Sequence, residues 1–215
     1  MKIRLNRAHY PVVVLGYGRR AGLWLQGCGI GCAGCVSRDT WAADPATEVA
    51  VAAVVAWCAS LPADVDGITI SGGEPFDQPE ALRELLLALH EWRAGTGRTI
   101  DLLCYSGRSL AVLRARFAPH LDLLDAVIPG PFIAAQAPGG RWRGSANQEL
   151  VALSALGHER YDAAVHSPAG PTRMQLGTDG ERVYHIGIPA PGDLEALEAA
   201  MARRGLAYGE VSWRS

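Results

Sequence analysis

Hydrophobic positions fall into two alternating patterns along most of the chain. Short apolar or β-branched runs predict strands at 10–15, 67–70, 100–105 and 126–128, and a further apolar run at 21–26 ends at a glycine-rich loop. Apolar residues at helical spacing predict helices at 47–61, 80–92 and 110–117. Strands and helices that alternate in this way are typical of βαβ units, so the pattern predicts an α/β fold around a mostly parallel sheet.

The last third of the chain has a different pattern. Two short runs, 173–176 and 182–188, flank Gly177-Thr178-Asp179-Gly180, which predicts a β-hairpin. A helix is predicted at 193–204, with Asp193 as its N-cap, and a final strand at 207–213. We therefore divide the chain into a core, residues 1–150, and a C-terminal α+β extension, residues 151–215, that packs on the core.

Composition narrows the class of protein. The chain has 215 residues, of which 49% are hydrophobic, so it can bury a core as one domain with an appendage. Lys plus Arg is 20 and Asp plus Glu is 22, a net charge of -2 that argues against binding nucleic acid or an acidic membrane surface. No apolar stretch approaches the roughly 18–20 residues of a membrane span or forms a signal-peptide core, so we predict a cytoplasmic protein without membrane attachment.

Three of the five cysteines lie in one glycine-rich loop, as Cys28, Cys32 and Cys35. An odd number of cysteines with three clustered fits a metal site in a reducing compartment better than a disulfide framework. A [4Fe-4S] cluster held by three thiolates leaves one iron open for a substrate. A zinc loop with a remote fourth ligand, or three unligated thiols, are the alternatives.

A second loop of interest follows the strand predicted at 67–70. It reads Ser71-Gly72-Gly73-Glu74, and paired glycines at a strand end let a ligand approach the backbone closely. The Glu74 carboxylate could hold an ammonium group, although the segment could also be a simple strand-to-helix turn. Loops after parallel strands share one edge of the sheet, so we expect this loop beside the cysteine loop, with Tyr105 and Ser106 on the same side.

These two loops resemble the signatures of radical S-adenosylmethionine (SAM) enzymes, namely Cys-x3-Cys-x2-Cys and Gly-Gly-Glu. The resemblance implies a partial TIM-like βα barrel and a [4Fe-4S] cluster held by Cys28, Cys32 and Cys35, whose open iron is chelated by SAM. It also implies that the cofactor is bound near Ser71, Gly72, Gly73, Glu74, Tyr105 and Ser106. In this family the cluster reductively cleaves SAM to a 5′-deoxyadenosyl radical, so the cluster ligands are the only catalytic residues expected.

Residues 9–150 further resemble the activating enzymes of anaerobic ribonucleotide reductase, a glycyl-radical activase branch. The resemblance lies in Tyr105-Ser106-Gly107, Gly130-Pro131-Phe132 and Trp142-Arg143-Gly144-Ser145-x-Asn147-Gln148. It implies hydrogen abstraction from a glycine of a partner glycyl-radical enzyme and a flavodoxin- or ferredoxin-type reductant. It also implies Arg143, Asn147 and Gln148 as contacts of SAM or of the partner, with Asn147 assigned to the cofactor.

Two departures from that branch keep other functions open. Pro129 stands where these enzymes have an acidic residue, and the 65 residues after position 150 extend beyond their usual length. One alternative is a stand-alone radical SAM enzyme that modifies a peptide or a small molecule. The second alternative is a non-catalytic metal-binding interaction module.

Overall fold

The computed structural model describes residues 1–166, 174–178 and 181–213. A mixed sheet of seven strands forms the centre of the molecule. The strands are β1 (Lys2–Val12), β2 (Arg20–Leu25), β3 (Glu48–Ala50), β4 (Gly67–Gly72), β5 (Asp101–Ser106), β6 (Ala126–Pro129) and β7 (Val151–Ala152). Their order across the sheet is β3-β1-β2-β4-β5-β6-β7.

Four strands in the middle of this sheet, β2, β4, β5 and β6, run parallel to one another. The outer strands β1, β3 and β7 are antiparallel to their neighbours. The prediction of an α/β fold with a mostly parallel centre is therefore confirmed. The prediction of a partial TIM-like barrel goes further than this strand order and stays a prediction.

Helices connect the parallel strands and bury one face on the sheet. They are α1 (Val51–Ala59), α2 (Pro79–Thr96) and α3 (Leu110–Leu121). Two further helices, α4 (Ala155–Val165) and α5 (Asp193–Ala202), follow later in the chain and do not connect parallel strands. In α2 the predicted apolar stripe is fully buried at Leu82, Leu85, Leu86 and Leu89. Each such leucine contributes about 1.5–3 kcal/mol relative to an exposed one, so this stripe fixes the helix against the sheet.

The first strand and the start of the first helix differ from the prediction. β1 spans Lys2–Val12 rather than 10–15, because residues before position 10, such as Arg7 and His9, pair with the antiparallel neighbour β2. The predicted helix at 47–61 begins only at Val51, since Glu48–Ala50 pairs with Lys2–Arg4 as β3. Long-range strand pairing decides the strand bounds in both places, and at 48–50 it overrides local helical spacing.

The C-terminal part contains the predicted hairpin, which forms a separate two-stranded sheet of β8 (Met174–Thr178) and β9 (Val183–Gly187). Position 173 and positions 179–180 of that prediction lie outside the described residues. The predicted helix at 193–204 is confirmed as α5, although its N-cap is Gly192 and not Asp193. Asp193 instead accepts a hydrogen bond from the Ala190 N–H at 2.8 Å.

The prediction of a final strand at 207–213 is wrong, because the segment forms bends and turns and joins neither sheet.

Residues just beyond position 150 contact the core directly. β7 pairs with β6, and the fully buried Tyr161 of α4 donates a hydrogen bond from its hydroxyl to Asp101 of β5 at 2.7 Å. The domain boundary at 150 stays a prediction. In the described ranges, no helix has the length and apolar character to cross a bilayer.

Candidate active site at the parallel strand ends

The cysteine loop and the Gly-Gly-Glu loop meet at one end of the parallel strands. The cysteine loop follows β2 and the other loop follows β4, which is the next strand in the sheet. Glu74 N–H donates to the carbonyl of Gly27 at 2.9 Å, and Gly73 N–H donates to the carbonyl of Leu25 at 2.8 Å. The expectation that the two loops lie side by side is confirmed.

Close backbone approach explains a glycine at position 73. A Cβ atom placed there would lie 2.2 Å from the carbonyl oxygen of Gly27, a distance that real side chains do not tolerate. The absence of a side chain therefore lets the two loops hydrogen-bond directly. Position 72 is equally restricted, since Gly72 has a φ of 102° in the left-handed region.

The three thiols of the cysteine loop line one cavity of about 1010 Å³. Cys28, Cys32 and Cys35 are each partly buried and free of disulfides. Burial raises the pKa of Cys28 and of Cys32, and backbone N–H groups that face these sulfurs act in the opposite direction. The Ser37 N–H also points at the Cys35 Sγ at 3.4 Å. Thiolates in such a loop are stabilised by amide dipoles rather than by cationic side chains.

This donor set fits an iron–sulfur cluster better than a single ion. In the described residues, no three His, Cys, Asp or Glu side chains come close enough to hold one metal ion. A four-iron cluster spaces its thiolate ligands more widely than one ion does, and it takes hydrogen bonds from backbone amides to sulfur. Three thiols with amide donors around a roomy cavity therefore fit a [4Fe-4S] cluster with one open iron.

An acidic residue outside the predicted set anchors the cysteine loop. Asp77, three residues after Glu74, accepts a hydrogen bond from the Gly29 N–H at 2.8 Å. Its other oxygen accepts from the Arg108 guanidinium at 2.5 Å. Sequence reasoning missed both residues, because an acid near the start of a helix and an arginine after a strand are common patterns. Only the folded contact identifies them as supports of the loop.

Glu74 faces inward and is fully buried. Its carboxylate accepts hydrogen bonds from Phe76 N–H at 3.1 Å, from the Ser106 hydroxyl at 2.9 Å and from Gly107 N–H at 2.7 Å. Burial raises the pKa of Glu74, while these donors and the Arg108 guanidinium lower it in part. The side chain thus connects the loop after β4 to the loop after β5.

Of the other residues predicted to bind the cofactor, five line the cavity of the three cysteines and one, Asn147, does not. Ser71, Gly72, Gly73, Tyr105 and Ser106 all line the same cavity as the three cysteines. The Tyr105 hydroxyl donates to the carbonyl of Trp142 at 2.9 Å, so its ring is held in place at the wall.

Asn147 is not among the residues that line this cavity. Its Nδ2 donates to the carbonyl of Pro131 at 2.8 Å, and its buried Oδ1 has no hydrogen-bond partner in the described part of the chain. The neighbouring Gln148 does line the cavity, and it donates to the carbonyl of Gly130 at 2.8 Å. A contact between Asn147 and SAM stays a prediction.

Comparison with known proteins gives the class of this chain. A family model described as "4Fe-4S single cluster domain" matches residues 14–151. The chain therefore belongs to this family of single-cluster iron–sulfur proteins. Its cysteine loop and Gly-Gly-Glu loop make it a radical SAM enzyme, with a [4Fe-4S] cluster and SAM as cofactors.

The similar proteins identify the branch. The chain is 32% identical over 147 residues to the anaerobic ribonucleoside-triphosphate reductase-activating protein of Vibrio cholerae serotype O1, across 66% of this chain and 94% of the relative. It is 30% identical over 145 residues to the protein of that name in Escherichia coli K12, across 65% of this chain and 93% of the relative. The chain thus belongs to the family of these activating proteins.

A solved structure is also similar over part of the chain. The crystal structure of QueE from Escherichia coli aligns with a TM-score of 0.40 and 18% identity. That alignment covers 51% of this chain and 54% of that chain.

Proposed function

We propose that this protein activates a glycyl-radical enzyme by producing the radical that removes a hydrogen atom from one of its glycines. The observation that carries the proposal is the direct contact of the cysteine loop with the Gly-Gly-Glu loop over one cavity. The names of the aligned relatives, which are reductase-activating proteins, support a reductase of this type as the partner.

When bound, the cluster and SAM supply a one-electron cleavage of the C5′–S bond, which releases methionine and a 5′-deoxyadenosyl radical. A glycine Cα of the partner would give up one hydrogen atom to this chemistry, which would yield 5′-deoxyadenosine and leave the unpaired electron on the partner's backbone. The single electron consumed comes from a flavodoxin- or ferredoxin-type reductant. All five thiols of the chain are free, and we place the protein in the cytoplasm, where thiols stay reduced.

In this proposal the chain itself supplies ligands, orientation and a shielded cavity. Cys28, Cys32 and Cys35 would hold three irons, and the backbone at Gly72 and Gly73 would contact SAM. Glu74 fixes the position of that backbone, because its carboxylate is occupied by donors from the loop after β5. A cavity walled by protein excludes water from a reactive radical.

One observation favours the second candidate, a radical SAM enzyme that modifies a peptide or a small molecule. The C-terminal extension lies outside the matched residues 14–151, yet Tyr184 of β9 and Ser212 line the cavity of the three cysteines. A wall added to the shared core could select a different substrate. Membership of a family of activating enzymes argues against the third reading, a non-catalytic metal-binding module.

The first experiment tests cluster and SAM chemistry together. After anaerobic reconstitution with iron and sulfide, we expect about four irons per chain. Addition of dithionite and SAM should then produce 5′-deoxyadenosine, measured by liquid chromatography. A triple variant Cys28→Ala, Cys32→Ala, Cys35→Ala should lose both iron and product, whereas Cys58→Ala, which removes a buried thiol far from the loop in sequence, should keep them. Retention of iron in the triple variant would overturn the assignment.

The second experiment separates the two candidate functions. Mixing the reduced holoenzyme with SAM and an anaerobic ribonucleoside-triphosphate reductase should give a protein-centred radical by electron paramagnetic resonance. If 5′-deoxyadenosine forms with a peptide or a small molecule while such reductases stay without a radical, the second candidate is correct.

A further inference from the structure

The end of the described chain, residues 207–213, contacts the cysteine loop directly. The Ser212 hydroxyl donates to the carbonyl of Val36 at 2.7 Å, and the Arg38 N–H donates to the carbonyl of Ser212 at 3.3 Å. Val36 follows the third cysteine of the loop, Cys35. The chain therefore returns, across more than 170 residues, to the backbone beside a cluster ligand.

Residues 207–213, here called the C-terminal wall, are also fixed from behind. The Trp213 indole N–H donates to the Glu198 carboxylate of α5 at 2.8 Å. The rings of His185, Tyr208 and Trp213 meet edge to face, with centroids 5.4–5.7 Å apart. Edge-to-face packing is a preferred aromatic arrangement, so the wall has a defined position on α5 and β9.

The hairpin beneath the wall is fixed to the core by a second contact. The Arg7 guanidinium of β1 lies 5.8 Å from the ring centres of both Trp24 and Tyr184, and it pairs with Asp39 at 2.8 Å. Tyr184 belongs to β9, and Trp24 belongs to β2, the strand that leads into the cysteine loop. The extension thus contacts the core near both the start and the end of the cysteine loop.

We propose that the C-terminal wall is a structural part of the active site, which supports the cysteine loop at Cys35 and restricts access to the cluster. Ser212 is then a positioning residue, because it acts on the cluster only through Val36 and Arg38. Ser212 and Trp213 line the same cavity as the three cysteines, and both lie outside the matched residues 14–151. The inference rests on the proposed binding of a cluster by the cysteine loop, but not on the identity of the substrate.

The test measures how fast the reconstituted holoenzyme releases iron to a ferrous-iron chelator under anaerobic conditions. We expect several-fold faster release for Trp213→Ala, which removes the anchor on Glu198 and opens the wall. Ser212→Ala should give a smaller increase, and Ser212→Thr, which keeps the hydroxyl, should restore the original rate. Leu206→Ala is the matched control, since Leu206 precedes the wall and is 51% exposed.

Circular dichroism first confirms that each variant is folded, and Ser212→Ala, a one-atom deletion, remains the test if Trp213→Ala does not fold. Iron release at the wild-type rate in the folded variants would overturn the proposal, as would equal acceleration by Leu206→Ala. This outcome is distinct from failure of the proposed function. A protein that binds iron but makes no 5′-deoxyadenosine removes the activase proposal, while the chelation rates still decide whether the wall protects the cluster.

Discussion

The two sides of the active-site cavity are held by different kinds of contact. On the core side, the cysteine loop and the Gly-Gly-Glu loop are joined by backbone hydrogen bonds at the ends of neighbouring parallel strands, β2 and β4. On the other side, the C-terminal wall is held by side chains, chiefly Ser212 and Trp213. The core side follows from strand order, whereas the wall depends on individual residues far along the chain.

This difference predicts how substitutions on each side of the cavity should affect the site. Where the cysteine loop and the Gly-Gly-Glu loop touch through their backbones, there is no room for a side chain. Elsewhere in the core, a backbone contact survives a change of side chain as long as the new side chain fits. Side-chain contacts in the wall are removed by a single truncation while the sheet remains intact. We therefore expect core substitutions to weaken the binding of the cofactors and wall substitutions to alter access to the site.

The largest effect on cofactor binding is expected for Gly73→Ala. The new methyl group would lie 2.2 Å from the Gly27 carbonyl oxygen, so the two loops must separate. Overpacking of this kind costs about 1–3 kcal/mol, which corresponds to a loss of affinity for SAM of roughly 5- to 150-fold. Calorimetric titration of SAM into the holoenzyme measures this loss of affinity.

The matched control for this prediction is Gly95→Ala. Gly95 lies inside α2, and a Cβ there would meet nothing within 4 Å. An alanine in a helix is favoured over glycine by about 0.5–1 kcal/mol, so this variant should bind SAM normally and unfold at slightly higher temperature. Equal SAM affinity in the two variants would contradict the role assigned to position 73.

The core side was largely predictable from the sequence. The run at 67–70 and nearly all of the run at 100–105 are buried in strands, and such continuous apolar runs are typical of a parallel sheet. Because these strands are parallel, the loops that follow them must share one edge of the sheet. The spacing of Cys28, Cys32 and Cys35 then indicates that the site at this edge holds a metal cluster. Strand bounds erred most at β1 and β3, where antiparallel pairing selects residues that have no strong local preference.

The supports of the site were not predictable in the same way. Asp77, Arg108 and Ser212 have ordinary neighbours in the sequence, and each acquires its role from a contact more than 30 residues away. Glu74 lines the cavity, its carboxylate is buried under the loop after β5, and its contact with an ammonium group stays a prediction. Local sequence patterns therefore identified the chemical groups of the site, whereas only the fold shows which residues hold those groups in position.

A buried ion pair joins the core to residues beyond the matched region. Arg20 and Asp101 are both fully buried, with paired hydrogen bonds of 2.9 and 2.8 Å, and Arg160 and Tyr161 of α4 also donate to Asp101. Although burial alone would raise the pKa of Asp101, the Arg20 guanidinium outweighs it and the net shift is downward.

Asp101→Ala should therefore leave the Arg20 charge buried without a counter-ion, which costs about 3–5 kcal/mol of unfolding free energy. Urea unfolding measures this loss. Asp64→Ala is the control, because Asp64 pairs with Arg19 at the exposed surface, and its loss should leave the unfolding free energy close to that of the wild type. A small loss for Asp101→Ala would mean that α4 is not held to the sheet through this pair.

Asp77→Ala should have a smaller effect confined to the cysteine loop. It removes the acceptor of the Gly29 N–H and the partner of Arg108. Hydrogen bonds to charged groups contribute about 1.5–3 kcal/mol each, part of which is recovered by water at this partly exposed position. We expect reconstitution to yield less iron per chain with little change in global stability, as measured by iron analysis and urea unfolding. Asp122→Ala, at the end of α3, is the control and should reconstitute fully.

The smallest effect concerns the pH dependence of stability at Glu74. Burial raises the pKa of this carboxyl above its ordinary 4.5, so the folded protein binds the proton more tightly than the unfolded chain does. The stabilisation from that proton is fully present below pH 4.5 and is lost as the pH rises through the folded pKa. The side chain of the Glu74→Gln variant cannot titrate. As the pH rises from 4.5 to the folded pKa of Glu74, the wild type should therefore lose unfolding free energy relative to the variant. Above the folded pKa the difference between the two should stay constant. Urea unfolding at a series of pH values measures the difference, and a shift in favour of the wild type would mean that the donors from Ser106 and Gly107 outweigh the burial of the carboxylate.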